Sequence, residues 1–317
     1  MAQLSLYLLA SAAVLLSLGL AGSQPPGEVG KAADVFGEFT GSTPCGEPFG
    51  KLFDIPADAE PPVRWALTLH QDPRTKSPTV YKLRAEYDGA KPPAARKPVS
   101  IVKEGRWSIG KGTTSDPNAA VYELASGVNF LKLTDNILHA MNPDRTLAVG
   151  NGGWSYTLNR TTAAEKVIVP SAEWLRRPSE SFTISPLAFG QNVFGVFEGR
   201  TPAQGIAREL DINTDADRFK VKWRVTLYQN PETKAPTTYK VEGSLHRQGG
   251  REGTWSVVQG ELGAEYHLSA TKTEATLLLL RGDDDVLFFL GQDRKPEVGH
   301  SDFSYTLNRR DTIVPIR

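Results

Sequence analysis

The chain has 317 residues, 39% of them hydrophobic, and a formal net charge of zero from 36 Lys+Arg and 36 Asp+Glu. That composition can build a core and excludes global disorder, and the charge balance argues against a general nucleic-acid binder. A single cysteine, Cys45, excludes an internal disulfide and a Cys-rich zinc site.

Residues 1–23 read as an export signal. No charge occurs before Glu28, and Leu4 to Leu20 is apolar but shorter than a membrane-spanning helix requires. The run ends in Leu20-Ala21-Gly22-Ser23, small residues of the kind a signal peptidase accepts after Ala21 or Ser23. Ser23 stands where a bacterial lipoprotein carries its lipidated cysteine, and a hydroxyl cannot take a thioether-linked lipid. The expectation is a periplasmic or secreted protein without a lipid anchor. It would touch the membrane only through the signal before cleavage. Residues 24–35 form a linker.

The rest of the chain is a tandem repeat. FGEFTGSTP (36–44) recurs as FGVFEGRTP (194–202), and WALTLHQDPRTKSPTVYKL (65–83) as WRVTLYQNPETKAPTTYKV (223–241), both 158 positions later. Beyond that the second copy is shorter, with the loop around Pro92-Pro93-Ala94-Ala95-Arg96 as the expected site of the extra length. GRWSI (105–109) still faces GTWSV (253–257), and SYTLNR (155–160) recurs at 304–309. A period this long marks duplicated domains rather than a solenoid. Residues 36–160 and 191–310 are the two copies. Residues 161–190, with Pro170, Pro178 and Pro186, read as a linker with a helical turn at Ala172–Leu175, and 311–317 as a tail.

Each copy reads as strands. Val63, Trp65, Leu67 and Leu69 alternate with Arg64, Thr68 and His70, and Val221, Trp223, Val225 and Leu227 do the same. QDPRTKSPT and QNPETKAPT are Pro-bearing turns. RWSI, AVYEL, VNFLKLTD and SYTLNR supply further strands, and no segment sustains a helical period. Seven or eight strands per copy predict an all-β chain of two small antiparallel, lipocalin-like barrels, a closure that removes sheet edges.

Phe39-Thr40-Gly41-Ser42-Thr43-Pro44-Cys45, Gly105-Arg106-Trp107, Tyr122-Glu123-Leu124, Leu131-Lys132-Leu133-Thr134-Asp135 and Tyr156-Thr157-Leu158-Asn159-Arg160 occur in an order that resembles the N-terminal domain of the NlpE family. The resemblance implies a small lipocalin-like barrel and a role in copper resistance, envelope stress and surface sensing. The chain departs from the family in three places. The family's early Cys-x-x-Cys pair is reduced to Cys45 followed by Gly46-Glu47-Pro48, Ala203 takes its place in the second copy, and Ser23 replaces the lipidated cysteine.

Few residues carry candidate chemistry. Cys45 could ligate copper or bridge two chains, or it is a remnant of the family's thiol pair. His139 and Met141, in His139-Ala140-Met141, offer an imidazole and a thioether to copper, although the segment otherwise reads as an ordinary loop. Asp283-Asp284-Asp285 reads as a hairpin turn rather than a calcium site, and Arg281-Gly282-Asp283 as a coincidental adhesion tripeptide. No nucleophile elbow, P-loop or dinucleotide fingerprint occurs. Lys76/Lys234 and Arg160/Arg309 recur with their neighbours, which points to shared fold first. Trp65/Trp223 and Trp107/Trp255 are expected in the barrel cores.

The reading is a non-catalytic envelope protein that binds or senses an unknown envelope partner or small ligand, without nucleic acid and without a required cofactor. The alternatives are a carrier of an apolar ligand inside a barrel and a copper-binding protein using Cys45.

Overall fold

Val63, Trp65, Leu67 and Leu69 share one face of a strand and are all buried, as are Val221, Trp223, Val225 and Leu227 in the second copy. This alternation builds the walls of both barrels. The computed structural model describes residues 33–56, 60–88, 98–169, 187–210, 218–244, 251–270 and 276–310. The export signal, the 92–96 loop and the turn at 172–175 lie outside the described residues.

The first barrel comprises β1 (Asp34–Thr43), α1 (Phe49–Leu52), β2 (Glu60–Gln71), β3 (Pro78–Asp88), β4 (Pro98–Lys111), β5 (Ala120–Leu124), β6 (Asn129–Thr134), β7 (Ile137–Met141) and β8 (Thr157–Arg160). The second comprises β9 (Val193–Thr201), α2 (Gln204–Glu209), β10 (Val221–Gln229), β11 (Pro236–Gly243), β12 (Arg251–Gln259), β13 (Ala264–Ala270), β14 (Thr276–Arg281), β15 (Val286–Leu290) and β16 (Thr306–Arg309). Each is a closed antiparallel meander, with β8 returning to β1 and β16 to β9. The expected pair of tandem barrels is the fold.

The recurring motifs now have structural roles. A Cβ on Gly41 would stand 2.4 Å from the Thr157 carbonyl oxygen, and one on Gly199 2.4 Å from that of Thr306, so glycine lets the first and last strands of each barrel close. Arg160 latches that closure. Its Nη1 donates to the Phe36 carbonyl at 3.1 Å and its Nε to that of Asp135 at 2.7 Å, with its guanidinium 4.8 Å from the Phe39 ring. Arg309 repeats the latch on the carbonyls of Phe194 and Asp284 and on the Phe197 ring. Trp65 and Trp223 sit in the cores and donate to Thr43 and Thr201 Oγ1, while Trp107 and Trp255 donate to the carbonyls of His70 and Tyr228. Lys76 and Lys234 occupy the left-handed region at φ 58° and 60° in matching turns, where Asp72 and Asn230 accept the backbone N–H groups two and three residues on.

Two features differ from the sequence expectation. Short helices follow the first strand of each copy. Phe49 of α1 and Phe53 just beyond it pack on Trp65 with ring centroids 4.4 and 4.8 Å away, while Ile206 and Ala207 of α2 are buried in the second copy. In addition, His139-Ala140-Met141 is not a loop but part of β7, a strand buried along its whole length. Leu138 and Ala140 face the barrel core, and Met141 faces an apolar cluster shared with the second barrel. A strand covered on both faces loses the alternation by which a strand is recognised.

Candidate functional site

The two barrels are joined along β7–β8 and β15–β16. Val121, Leu131, Met141 and Leu147 of the first pack with Leu278, Leu280, Val286, Phe288 and Leu290 of the second in one buried cluster. Polar contacts within this seam connect equivalent residues. Ser155 Oγ meets Ser304 Oγ at 2.6 Å, and Thr157 Oγ1 meets Thr306 Oγ1 at 2.9 Å, each pair separated by 149 positions. Gly150 N donates to Asn308 Oδ1 at 2.7 Å, and Gly299 N donates reciprocally to Asn159 Oδ1 at 2.9 Å. When i contacts j and the equivalents of both make the same contact in reverse, the interface is isologous, as in a two-fold dimer. This seam is a two-fold interface within one chain.

The candidate metal residues divide between two environments. His139 lies in the seam, fully buried, with Nδ1 2.8 Å from Thr157 Oγ1 and Nε2 2.9 Å from the Ala148 carbonyl oxygen. Its ring stands edge-on to Phe288 at 5.4 Å. Burial depresses its pKa to about 4, against smaller opposing effects of the Ala148 carbonyl and Asp283. Both nitrogens are therefore occupied and the ring is neutral. Met141 shares the seam. Cys45 instead packs against the interior cluster of the first barrel, and burial pushes its thiol pKa up, which disfavours the thiolate that would bind a soft metal. Among the described residues no group of three or more His, Cys, Asp or Glu is placed to hold a metal ion.

The acidic run forms the β14–β15 turn, and its carboxylates go three ways. Asp283 accepts from the backbone N–H groups of Asp285 and Val286 and, across the seam, from that of Leu147 at 3.1 Å. Asp284 pairs with Arg281 at 2.6 Å, and Asp285 lies 4.0 Å from Arg309.

The segment after the first barrel reaches the second. Glu165 Oε2 accepts from the Tyr305 hydroxyl at 2.5 Å, and its Oε1 accepts from Gly205 N at 3.2 Å. An open cleft of about 360 Å³ beside it is lined by charges of both signs, including Glu165, Arg208, Asp293 and Lys295.

A cationic cluster on the outer face of β9 and β10 was not singled out from the sequence. Arg200 and Lys222 are direct cross-strand partners, and Lys220, just before β10, lies close enough to feel both charges. The Arg200 guanidinium lies 5.2 Å from the ring of Trp154, which belongs to the first barrel's half of the seam. Lys220 Nζ lies 4.7 Å from the Phe219 ring and 5.8 Å from that of Phe303. The signal that could have found the cluster is a difference between repeats. The equivalent positions of the first copy hold Ser42, Arg64 and Pro62, so only the position of Lys222 is cationic in both copies and the cluster of three belongs to the second.

The fold and seam define a fused pair of closed eight-stranded barrels with internal two-fold symmetry. No family model, curated protein or solved structure matches the chain.

Proposed function

We propose that this chain is a non-catalytic exported protein of the bacterial cell envelope, of the NlpE type. It would act by binding or sensing through its outer surface. The observation that carries the reading is how its chemically capable groups are used. Both nitrogens of His139 are taken up by Thr157 and Ala148 of its own barrel, Asp283 holds its own turn with Oδ1 and Leu147 of the other barrel with Oδ2, and Cys45 is partly buried against a core. No described constellation pairs a nucleophile with a base. The barrel interiors hold Trp65, Phe49, Phe53 and Phe130 in one copy and Trp223, Tyr266 and Phe289 in the other, which favours an outward-facing partner over an enclosed apolar ligand. The copper alternative receives less support, because the thiol, the imidazole and the thioether do not share one environment.

Fractionation of the producing cell tests the reading. The mature chain is expected in the envelope or medium, starting near Gln24 and without covalent lipid. Photo-crosslinking there is expected to give a discrete adduct. Recovery in the cytoplasm with residue 1 intact, or turnover of a substrate by the purified chain, would contradict it.

A further inference from the structure

Arg200, Lys220 and Lys222 form no ion pair among the described residues, although each is partly buried. The described carboxylates nearby are engaged elsewhere or stand apart. Glu198 binds Arg224 at 2.6 Å and lies 3.7 Å from Arg310, Glu242 pairs with Lys240 at 3.1 Å, and Asp302, next to Phe303, joins no ion pair among the described residues. Like charges directly opposite on a sheet are unfavourable, and Arg200 faces Lys222 in that arrangement. Burial is costly for a cation without a counter-ion. The fold does not require the charges of Arg200 and Lys220, since the first barrel closes with Ser42 and Pro62 at the matching positions and keeps a cation, Arg64, only at that of Lys222.

The geometry points to a binding site for a phosphate-class oxyanion formed by Arg200, Lys220 and Lys222 at the edge of the seam, walled by Trp154, Phe219 and Phe303. A guanidinium presents two parallel N–H donors to such a group, and the lysines add point charges. The rings hold the cations by their faces and exclude water from one side. Because Trp154 comes from the first barrel and the cations from the second, the site requires both copies in their observed arrangement. Burial, with Arg200 and Lys222 nearby, lowers the Lys220 pKa to about 8. A bound dianion would reverse that effect, so affinity should fall as pH rises through that value. The inference does not depend on the envelope reading.

The test is calorimetric titration of the full chain with inorganic phosphate and pyrophosphate, at ionic strength matched with chloride. Saturable binding is expected, weakened about tenfold or more by Lys220→Gln and by Arg200→Gln, as loss of a charge-assisted hydrogen bond implies. Lys82→Gln, on the far-removed outer face of β3, should leave it unchanged. If Arg200→Gln loosens the seam, Lys220→Gln and Lys222→Gln still test the site, with circular dichroism reporting the fold. A parallel sedimentation assay with phosphatidylglycerol vesicles separates the two sources of the oxyanion. Binding to vesicles with weak binding of free phosphate assigns a lipid headgroup, and the reverse assigns a soluble phosphate. No saturable binding to either, or binding that Lys220→Gln and Lys222→Gln leave intact, would overturn the proposal.

Discussion

Ser155 and Ser304, 149 positions apart in the chain, hydrogen-bond to each other at 2.6 Å. They are the same residue of the same motif in two copies of one repeat, so the local two-fold axis passes between them. Thr157 and Thr306 repeat the relationship two residues on. The symmetry is broken at the next pair along the seam, where His139 of one copy packs against Phe288 of the other.

That asymmetry has a consequence for acid stability. Folding lowers the His139 pKa from 6.5 to about 4, so between these values the unfolded chain binds a proton that the folded chain does not. Stability is therefore fully present above about pH 6.5 and falls as pH drops toward 4, by on the order of 3 kcal/mol. Burial lowers the pKa of His300 as well, which acts in the same direction. Urea melts across this range check the slope, and His139→Phe, which copies Phe288, should flatten it.

The arginine latch should matter more than its partial exposure suggests. Arg160→Met removes charge-assisted bonds to the carbonyls of Phe36 and Asp135 and the contact with Phe39, with an expected loss of about 2–4 kcal/mol. Arg160→Lys should recover only part of it, since an ammonium cannot span both carbonyls in the same way. Chemical denaturation measures both variants.

Cys45→Ala should cost about 1 kcal/mol or less. The second copy carries buried Ala203 at the matching position, so a methyl group suffices there. Thermal melts with and without reductant should coincide for the monomer, and any disulfide should link two chains on a non-reducing gel. A Cu(I) titration showing a tight site that Cys45→Ala abolishes would reinstate the copper alternative.

The seam should also make the barrels unfold together. Fluorine labels on Trp107 and Trp255, one in each core, should report a single urea midpoint. Two separate midpoints would mean that the seam contributes little to cooperativity.

Much of the architecture was legible in the sequence because the β2 and β10 strands alternate cleanly around Trp65 and Trp223, and because repetition exposed their equivalence. The role of Arg160 and Arg309 was not legible. Recurrence marks a shared residue, but only the closed barrel brings it to the carbonyls of Phe36 and Phe194. β7 was hidden because both of its faces are covered, and α1 because four residues are too few to show a helical period. Reading the repeats for identity also concealed the cluster at Arg200 and Lys220, which is a difference between them.

The most direct measurement of the two-fold seam is a disulfide trap. In a Cys45→Ala background, Ser155→Cys combined with Ser304→Cys places two sulfurs where the hydroxyl oxygens stand 2.6 Å apart. Spontaneous oxidation during folding is expected, seen by mass spectrometry as a linked pair of peptides and as a faster-migrating chain on a non-reducing gel. A folded protein in which both thiols stay reduced, or in which they bridge only between molecules, would contradict the two-fold arrangement of the barrels.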